Sequence, residues 1–387
     1  MRDLLLGLRP KDFDVATEAS PEQIRALFRR SRLIGRRFKL AHVRFGREVV
    51  EVATFRGDPG HDQHPERVSV EGRILRDNVY GTLEQDAWRR DFSINSLYYG
   101  VEDFALIDYT GGMADLKARR LRLIGDPEVR YREDPVRTLR AVRFMAKLGF
   151  ELDPETAYPL TECAGLLENI PPARLFDEVL KLLHGGYALA VFELLRKYGI
   201  FERLFPEAGV CMDDDPRALA LARSALANTD TRIAQGLPVT PAFLFAALLW
   251  GPLQRDVAGL RAQGLSELQA YEVAGGDVIA RAIEYVALPR RFALVAREIW
   301  GMQPRLTQDR GKRSARLLER GRFRAAYDFL VLRAEAGEAV GEHVDRWTRA
   351  QHAHRGEPEA TPEAPATAPR RRRRRRRRKP AQAEQTS

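Results

Sequence analysis

What the chain lacks narrows its class before any motif is read. Only two cysteines, Cys163 and Cys211, occur in 387 residues. Their spacing fits no metal-ligand pattern, so they read as buried thiols of a reducing cytoplasm. No run of 18 or more apolar residues is present, so no membrane-spanning helix is expected. Residues 1–30 carry no signal-peptide hydrophobic stretch, and there is no internal repeat. A charge excess is also missing from most of the chain. The formal net charge is +10, but Arg370, Arg371, Arg372, Arg373, Arg374, Arg375, Arg376, Arg377, Arg378 and Lys379 supply ten positive charges, which leaves residues 1–369 nearly neutral. Such a run cannot fold on itself, and it can neutralise phosphates.

What remains is an ordinary globular composition, 44% apolar, and enough length for two or three cores. Residues 2–9 read as the end of a helix closed near Gly7, and residues 12–16 as a strand. Ser20-Pro21-Glu22-Gln23 is a helix start with a capping residue, a first-position proline and a side chain that reaches back. Strand signals follow at 38–45 and 49–55, then a polar, glycine- and proline-bearing loop at 57–73. A helix is expected over 81–100, and short strands joined by Thr110-Gly111-Gly112 over 104–125. From about 126 helices dominate, with starts marked by Asp134-Pro135, Asp153-Pro154, Asp215-Pro216 and Thr240-Pro241. From about 352 a Glu/Pro/Ala/Thr-rich stretch leads into the arginines and reads as disordered. The outline is a small α/β head, a long helical body and a basic tail.

The stretch that points to chemistry is Lys11-Asp12-Phe13-Asp14-Val15. On a strand Asp12 and Asp14 share one face, while Phe13 and Val15 turn to the core. Two carboxylates on one face repel unless cations lie between them, and a pair of Mg²⁺ ions serving phosphoryl transfer is a common reason for the arrangement. Glu51, in the next strand signal but one, is a candidate third carboxylate if the strands are neighbours. Asp91 and Asn95, four residues apart, share a face on a helix. His42, alone between Ala41 and Val43, reads as structural.

Three motifs in order carry a family resemblance. Arg2-Asp3-Leu4-Leu5-Leu6-Gly7 with Pro10-Lys11-Asp12-Phe13-Asp14, then Arg89-Arg90-Asp91-Phe92-Ser93-Ile94-Asn95, then Arg132-Glu133-Asp134-Pro135-Val136-Arg137-Thr138-Leu139-Arg140 resemble the class II nucleotidyltransferases, the family of tRNA nucleotidyltransferases and poly(A) polymerases. Leu33 to Val43, with Arg36, Arg37 and Lys39, together with residues 311–335 and the arginine tail, is similar to the bacterial poly(A) polymerase branch. The resemblance implies an α+β chain. Its nucleotidyltransferase head spans residues 1–120 and lacks a first strand. A helical neck that binds RNA and nucleotide follows at 121–210, then a helical body at 211–351 and a disordered tail at 352–387.

The resemblance also implies the reaction: template-independent transfer of AMP from ATP to RNA 3′ ends, with release of pyrophosphate. Asp12 and Asp14 would hold two Mg²⁺ ions, and Asp91 would be the third active-site acid, with Glu51 its rival by strand geometry. Arg2, Lys11, Arg90, Asn95, Glu133, Asp134, Arg137 and Arg140 would bind the nucleotide. Asp134 and Arg137 would present hydrogen-bonding edges to the base, although Asp134 is also the expected cap before Pro135. Arg36, Arg37, Lys39 and the tail would touch RNA phosphates. The expected partners are RNA, ATP and RNA-decay machinery, with no membrane; a cytoplasmic monomer is expected.

One departure stands at the start. The family motif is preceded by Gly-Gly-x-Val, and Met1 occupies the valine position, so the reading expects a start codon further upstream. Two alternatives stay open: a CCA-adding enzyme that also uses CTP, and a non-catalytic RNA-binding relative without the glycine loop.

Overall fold

The computed structural model describes residues 1–10, 12–35, 39–57, 69–70, 73–74, 79–308 and 315–355. The short first helix, α1 (Arg2–Leu5), ends at Gly7, whose φ of +70° suits a residue without Cβ. The head is then built on a four-stranded sheet of β1 (Asp14–Thr17), β2 (Ser31–Ile34), β3 (Leu40–Phe45) and β4 (Glu48–Thr54), in the spatial order β1-β4-β3-β2. β1 runs parallel to β4, and the other pairs are antiparallel. α2 (Pro21–Leu27) starts as the sequence implies. Ser20 Oγ accepts the Gln23 N–H at 3.2 Å, and Gln23 Oε1 accepts the Ser20 N–H at 2.7 Å, a reciprocal cap that contributes about 1 kcal/mol.

α2 packs on β2, β3 and β4, and Ile24, Ala41 and Val43 form the small buried cluster beneath it. β1 lies at the edge of the sheet, outside that cover. The expectation that Phe13 and Val15 turn into the core is therefore wrong: they are 65% and 43% exposed. The strand also begins at Asp14, so Asp12 precedes it. β2 was not foreseen. It is a strand because its four residues pair in antiparallel register with Leu40–Val43.

The helix expected over 81–100 is much shorter. α3 (Leu83–Trp88) carries its own capping box from Thr82 and Gln85, and the chain then leaves it for a 3₁₀ turn at Ser93–Asn95 and a hairpin of β5 (Leu97–Tyr99) and β6 (Leu106–Asp108). The reason is local. Asp91 binds the Phe92 N–H at 2.8 Å, which starts a new turn instead of continuing the old one. Between the strands expected over 104–125 stands α4 (Gly112–Lys117), whose first amides are held by the Asp108 carboxylate. Most of the loop expected at 57–73 lies outside the described residues.

α5 (Pro127–Glu133), capped by Asp126, and α6 (Val136–Leu148) lead into the helical body. There Asp153 and Asp215 cap helices as expected, whereas Thr240 starts one without a side-chain cap. One apolar cluster runs from Phe92 to Ala336, and Phe92, Tyr131 and Trp300 are wholly buried in it. Each such aromatic contributes about 2–3 kcal/mol by burial. The helix Glu267–Tyr285 meets the start of Pro172–Leu183, where the Ala287 N–H donates to the Pro172 carbonyl at 3.1 Å. The last helix, Gly341–Arg355, runs slightly past the expected start of the tail. No described helix is long and apolar enough to cross a membrane.

Candidate active site

The acids of the head gather at the edge of the sheet. Parallel pairing sets Asp14 opposite Glu51. Partial burial pushes the Asp14 carboxyl above its ordinary value, with the charges of Glu51 and Asp12 adding to the effect and Arg90 opposing it. Glu51 Oε1 in turn lies 3.0 Å from His42 Nε2, its register partner on β3. Hard carboxylate oxygens that repel one another suit Mg²⁺ in donor type. Among the described residues, however, no group of three or more His, Cys, Asp or Glu side chains is drawn together closely enough to hold a metal as it stands.

Beside this edge lies a cleft between the head and the start of the body. Asp91, Asn95, Glu133, Asp134, Arg137 and Arg140 all line it, and Ala53 of β4 brings the sheet to its rim; Asp12, Asp14 and Glu51 are not in the lining. Asp91 is fully engaged. One oxygen accepts the Phe92 N–H and the Asn95 amide at 3.0 Å, and the other accepts Arg140 Nε at 2.7 Å. Burial alone would raise this carboxyl, but Arg140, Asn95 and the Phe92 amide outweigh it and hold it below the usual range. Asn95 also accepts from Arg2, and Asp3 pairs with Lys147 at 2.8 Å, so α1 is tied both to the second motif and to α6.

α6 buries Leu139 and Val142 on its opposite side, which turns Arg137 and Arg140, with Val136 at its start, toward the cleft. Arg137 donates to the Arg130 carbonyl at 2.6 Å and to Glu133 at 2.7 Å. Asp134 does two things at once. Its Oδ1 accepts the Val136 N–H at 3.3 Å, near the cap position expected of it, and its Oδ2 pairs with Arg174 at 2.7 Å. Arg90 is held between Tyr98 Oη at 2.8 Å and Asp86 at 3.2 Å.

Comparison with known proteins gives this cleft its context. Residues 1–122 match the family described as "Poly A polymerase head domain", residues 149–211 "Probable RNA and SrmB- binding site of polymerase A", and residues 263–380 "Polymerase A arginine-rich C-terminus". Poly(A) polymerase I of Escherichia coli O157:H7 is 52% identical over 341 residues, covering 87% of this chain and 73% of the relative. The chain belongs to the bacterial poly(A) polymerase family. Poly(A) polymerase I of Haemophilus influenzae is 49% identical over 365 residues, 92% of this chain and 80% of its own. A CCA-adding enzyme of Bacillus licheniformis is more distant, at 35% over 204 residues, 53% of this chain and 49% of its own.

Among solved structures, the Bacillus stearothermophilus CCA-adding enzyme in complex with CTP is 27% identical with a TM-score of 0.58, covering 91% of this chain and 76% of that one. A tRNA nucleotidyltransferase complexed with a primer tRNA and an incoming ATP analog shares the fold, with 23% identity, a TM-score of 0.60 and coverage of 92% and 94%.

In this poly(A) polymerase family member, the structure brings Arg2, Arg90, Asp91, Asn95, Glu133, Asp134, Arg137 and Arg140 into one connected region around the cleft. Asp12, Asp14 and Glu51 form a second, adjoining group linked to it through Arg90. Lys39 is exposed and pairs with Glu22 at 2.9 Å. Lys11, Arg36, Arg37 and the arginines of 370–379 lie outside the described residues. Several residues of the cleft escaped sequence reasoning, Arg130 and Arg174 among them. Arg130 donates to the carbonyls of Arg89 and Arg90 at 2.8 and 2.7 Å, which joins α5 to the second motif. Arg174 reaches Asp134 from a helix 40 residues on. No local pattern marks either, because each acts across the fold.

Proposed function

We propose that this chain extends RNA 3′ ends by template-independent transfer of AMP from ATP, releasing pyrophosphate. The single observation that carries the site is the Asp14–Glu51 pairing with Asp12 close by, its acids adjoining a guanidinium-lined cleft. Near 50% identity to two enzymes named Poly(A) polymerase I, over most of their length, favours AMP over CMP.

In this reading Asp12 and Asp14 hold two Mg²⁺ ions and Glu51 is the third carboxylate. When bound, the ions supply activation of the attacking 3′-hydroxyl and neutralisation of the triphosphate. Asp91, fully occupied by Arg140, Asn95 and the Phe92 amide, acts as a positioning residue that aims Arg140 into the cleft. Arg90 and Arg140, with Lys11, meet phosphates. Arg137, steadied by Glu133, and Asp134, steadied by Arg174, present donor and acceptor edges to the incoming base. The RNA strand is drawn in by contacts that carry no sequence information, including Lys39 and the tail from Arg370 to Lys379. The proposed division is a head at 1–120, a neck at 121–210, a body at 211–351 and a tail beyond.

The test is incubation with a labelled RNA oligonucleotide, Mg²⁺ and each nucleoside triphosphate separately. A long ladder with ATP alone, abolished by Asp12→Ala/Asp14→Ala, is expected. One or two additions with CTP on a tRNA would overturn the reading.

A further inference from the structure

A second cleft, of about 860 Å³, opens in the helical body. Its walls are the helices Glu267–Tyr285 and Arg290–Thr307 and the turn before Phe323–Glu335. Four guanidinium groups line it, those of Arg297, Arg305, Arg320 and Arg322, against two carboxylates, Glu272 and Glu298. Glu298 is taken by Arg322 at 2.9 Å. Among the described residues the Arg297 and Arg320 side chains are exposed and have no hydrogen-bond or ion-pair partner. Leu294, 46% exposed, lines the same cleft and supplies apolar surface there.

Arg297 is also placed. Its guanidinium lies 3.8 Å from where a Cβ on Gly276 would stand, and its stem 3.8 Å from the same point on Gly275. Two consecutive glycines inside a helix cost about 1 kcal/mol each relative to alanine. A Cβ at either position would still stand at ordinary contact distance, so the arginine lies along this face of the helix within van der Waals reach. An unpaired, positioned guanidinium beside an apolar patch suits a phosphodiester with a base face next to it.

The location selects the ligand. Along Glu267–Tyr285, Tyr271 at the cleft and Tyr285 at the far end are about 21 Å apart. That far end is joined to Pro172 by the Ala287 amide, two residues before Arg174 of the nucleotide cleft. A bound nucleotide in the first cleft does not reach the second, whereas a strand with its 3′ end in the first does. Resting on the function proposed above, we infer that the Arg297–Arg320 cleft binds the backbone of single-stranded RNA several nucleotides upstream of the 3′ end being extended.

The test uses the full chain and 5′-labelled single-stranded RNAs of about 20 and about 5 nucleotides, with anisotropy read across a salt titration and no ATP present. Arg297→Ala/Arg320→Ala should weaken the longer RNA about fivefold at low salt and reduce the slope of log affinity against log salt by about 1.4, the value for two phosphate contacts on a single strand. Binding of the short RNA should stay at the wild-type level. Unchanged affinity and slope on the longer RNA overturn the inference, and so does an equal loss on both lengths. If the double variant fails to fold, Arg297→Gln and Arg320→Gln singly should each lower the slope by about 0.7; no change in either overturns it. AMP incorporation by the wild type is measured alongside. Its absence counts against the proposed reaction, while the binding data still decide the cleft.

Discussion

Asp14 and Glu51 are register partners across the parallel β1–β4 pair, and burial together with the charge of Glu51 raises the cost of charging Asp14. Asp12 lies two residues before Asp14, while Asp91 is paired with Arg140. On the proposed reading Glu51 and Asp91, which the motifs alone leave as rivals, take different roles.

On the proposed metal-dependent reaction, Glu51→Gln should behave like Asp12→Asn and Asp14→Asn, with AMP incorporation down on the order of 10³-fold, the several kcal/mol of transition-state stabilisation that such metals would supply. Asp91→Asn should instead act mainly on KM for ATP through a misdirected Arg140. Steady-state kinetics of the four variants check this. A Glu51→Gln enzyme at wild-type rate would remove Glu51 from the site.

Repulsion at the sheet edge should be visible in stability. A carboxyl raised above its unfolded value destabilises the fold once it ionises, so the penalty is present above its folded pKa and fades as pH falls. Asp14→Asn should melt slightly higher than wild type at pH 7 without divalent cations, with the difference vanishing in acid. Added Mg²⁺ should stabilise wild type more than the variant. Thermal melts at two pH values, with and without Mg²⁺, read both signs.

Asp91 should show the opposite sign. Its carboxyl is held below the ordinary value, so its contribution is full above the unfolded pKa and is lost as pH falls through the lower folded one. Asp91→Asn should cost about 2 kcal/mol near neutrality, less than a wholly buried pair because Arg140 keeps about a third of its surface, and should flatten the acid limb of the stability curve. Denaturant titrations from pH 3 to 7 test it.

Asp134 and Arg174 should couple in nucleotide binding. Each single alanine variant should weaken ATP, and the double variant should fall short of the sum by about 0.5–1 kcal/mol, as expected for a half-exposed pair. Strict additivity would show that the contact plays no part in shaping the cleft.

His42 should prove a positioning residue. It touches Glu51 and no other site acid in the hydrogen bonding of the described residues. His42→Gln should keep activity within about tenfold of wild type, with the acid limb of the pH–rate profile, where a general base would titrate, unchanged.

The sequence carried the motifs and their neighbours well because those signals are local. The Ser20–Gln23 box, the Asp-Pro helix starts and the Asp91–Asn95 contact all depend on residues within four positions of each other. It misjudged Phe13 and Val15 because burial on a strand depends on what covers it, and α2 stops short of β1. It overextended the helix at 81–100 because the competing Asp91–Phe92 bond offers the backbone an alternative that periodicity does not register. Arg130 and Arg174 were invisible for the same reason: their partners lie 40 or more residues away.

The contact between Asp3 and Lys147 joins residues 144 positions apart. Closing a loop of that length costs about 4 kcal/mol in chain entropy. At ordinary elongation rates Asp3 leaves the ribosome roughly 7–30 s before Lys147 does. The segment that steadies Asn95, and through it Asp91, thus cannot reach its final place until α6 has been made. During synthesis the opening residues wait for a later part of the chain, and a nascent product stopped short of α6 would carry every carboxylate of the site without the clamp that sets them.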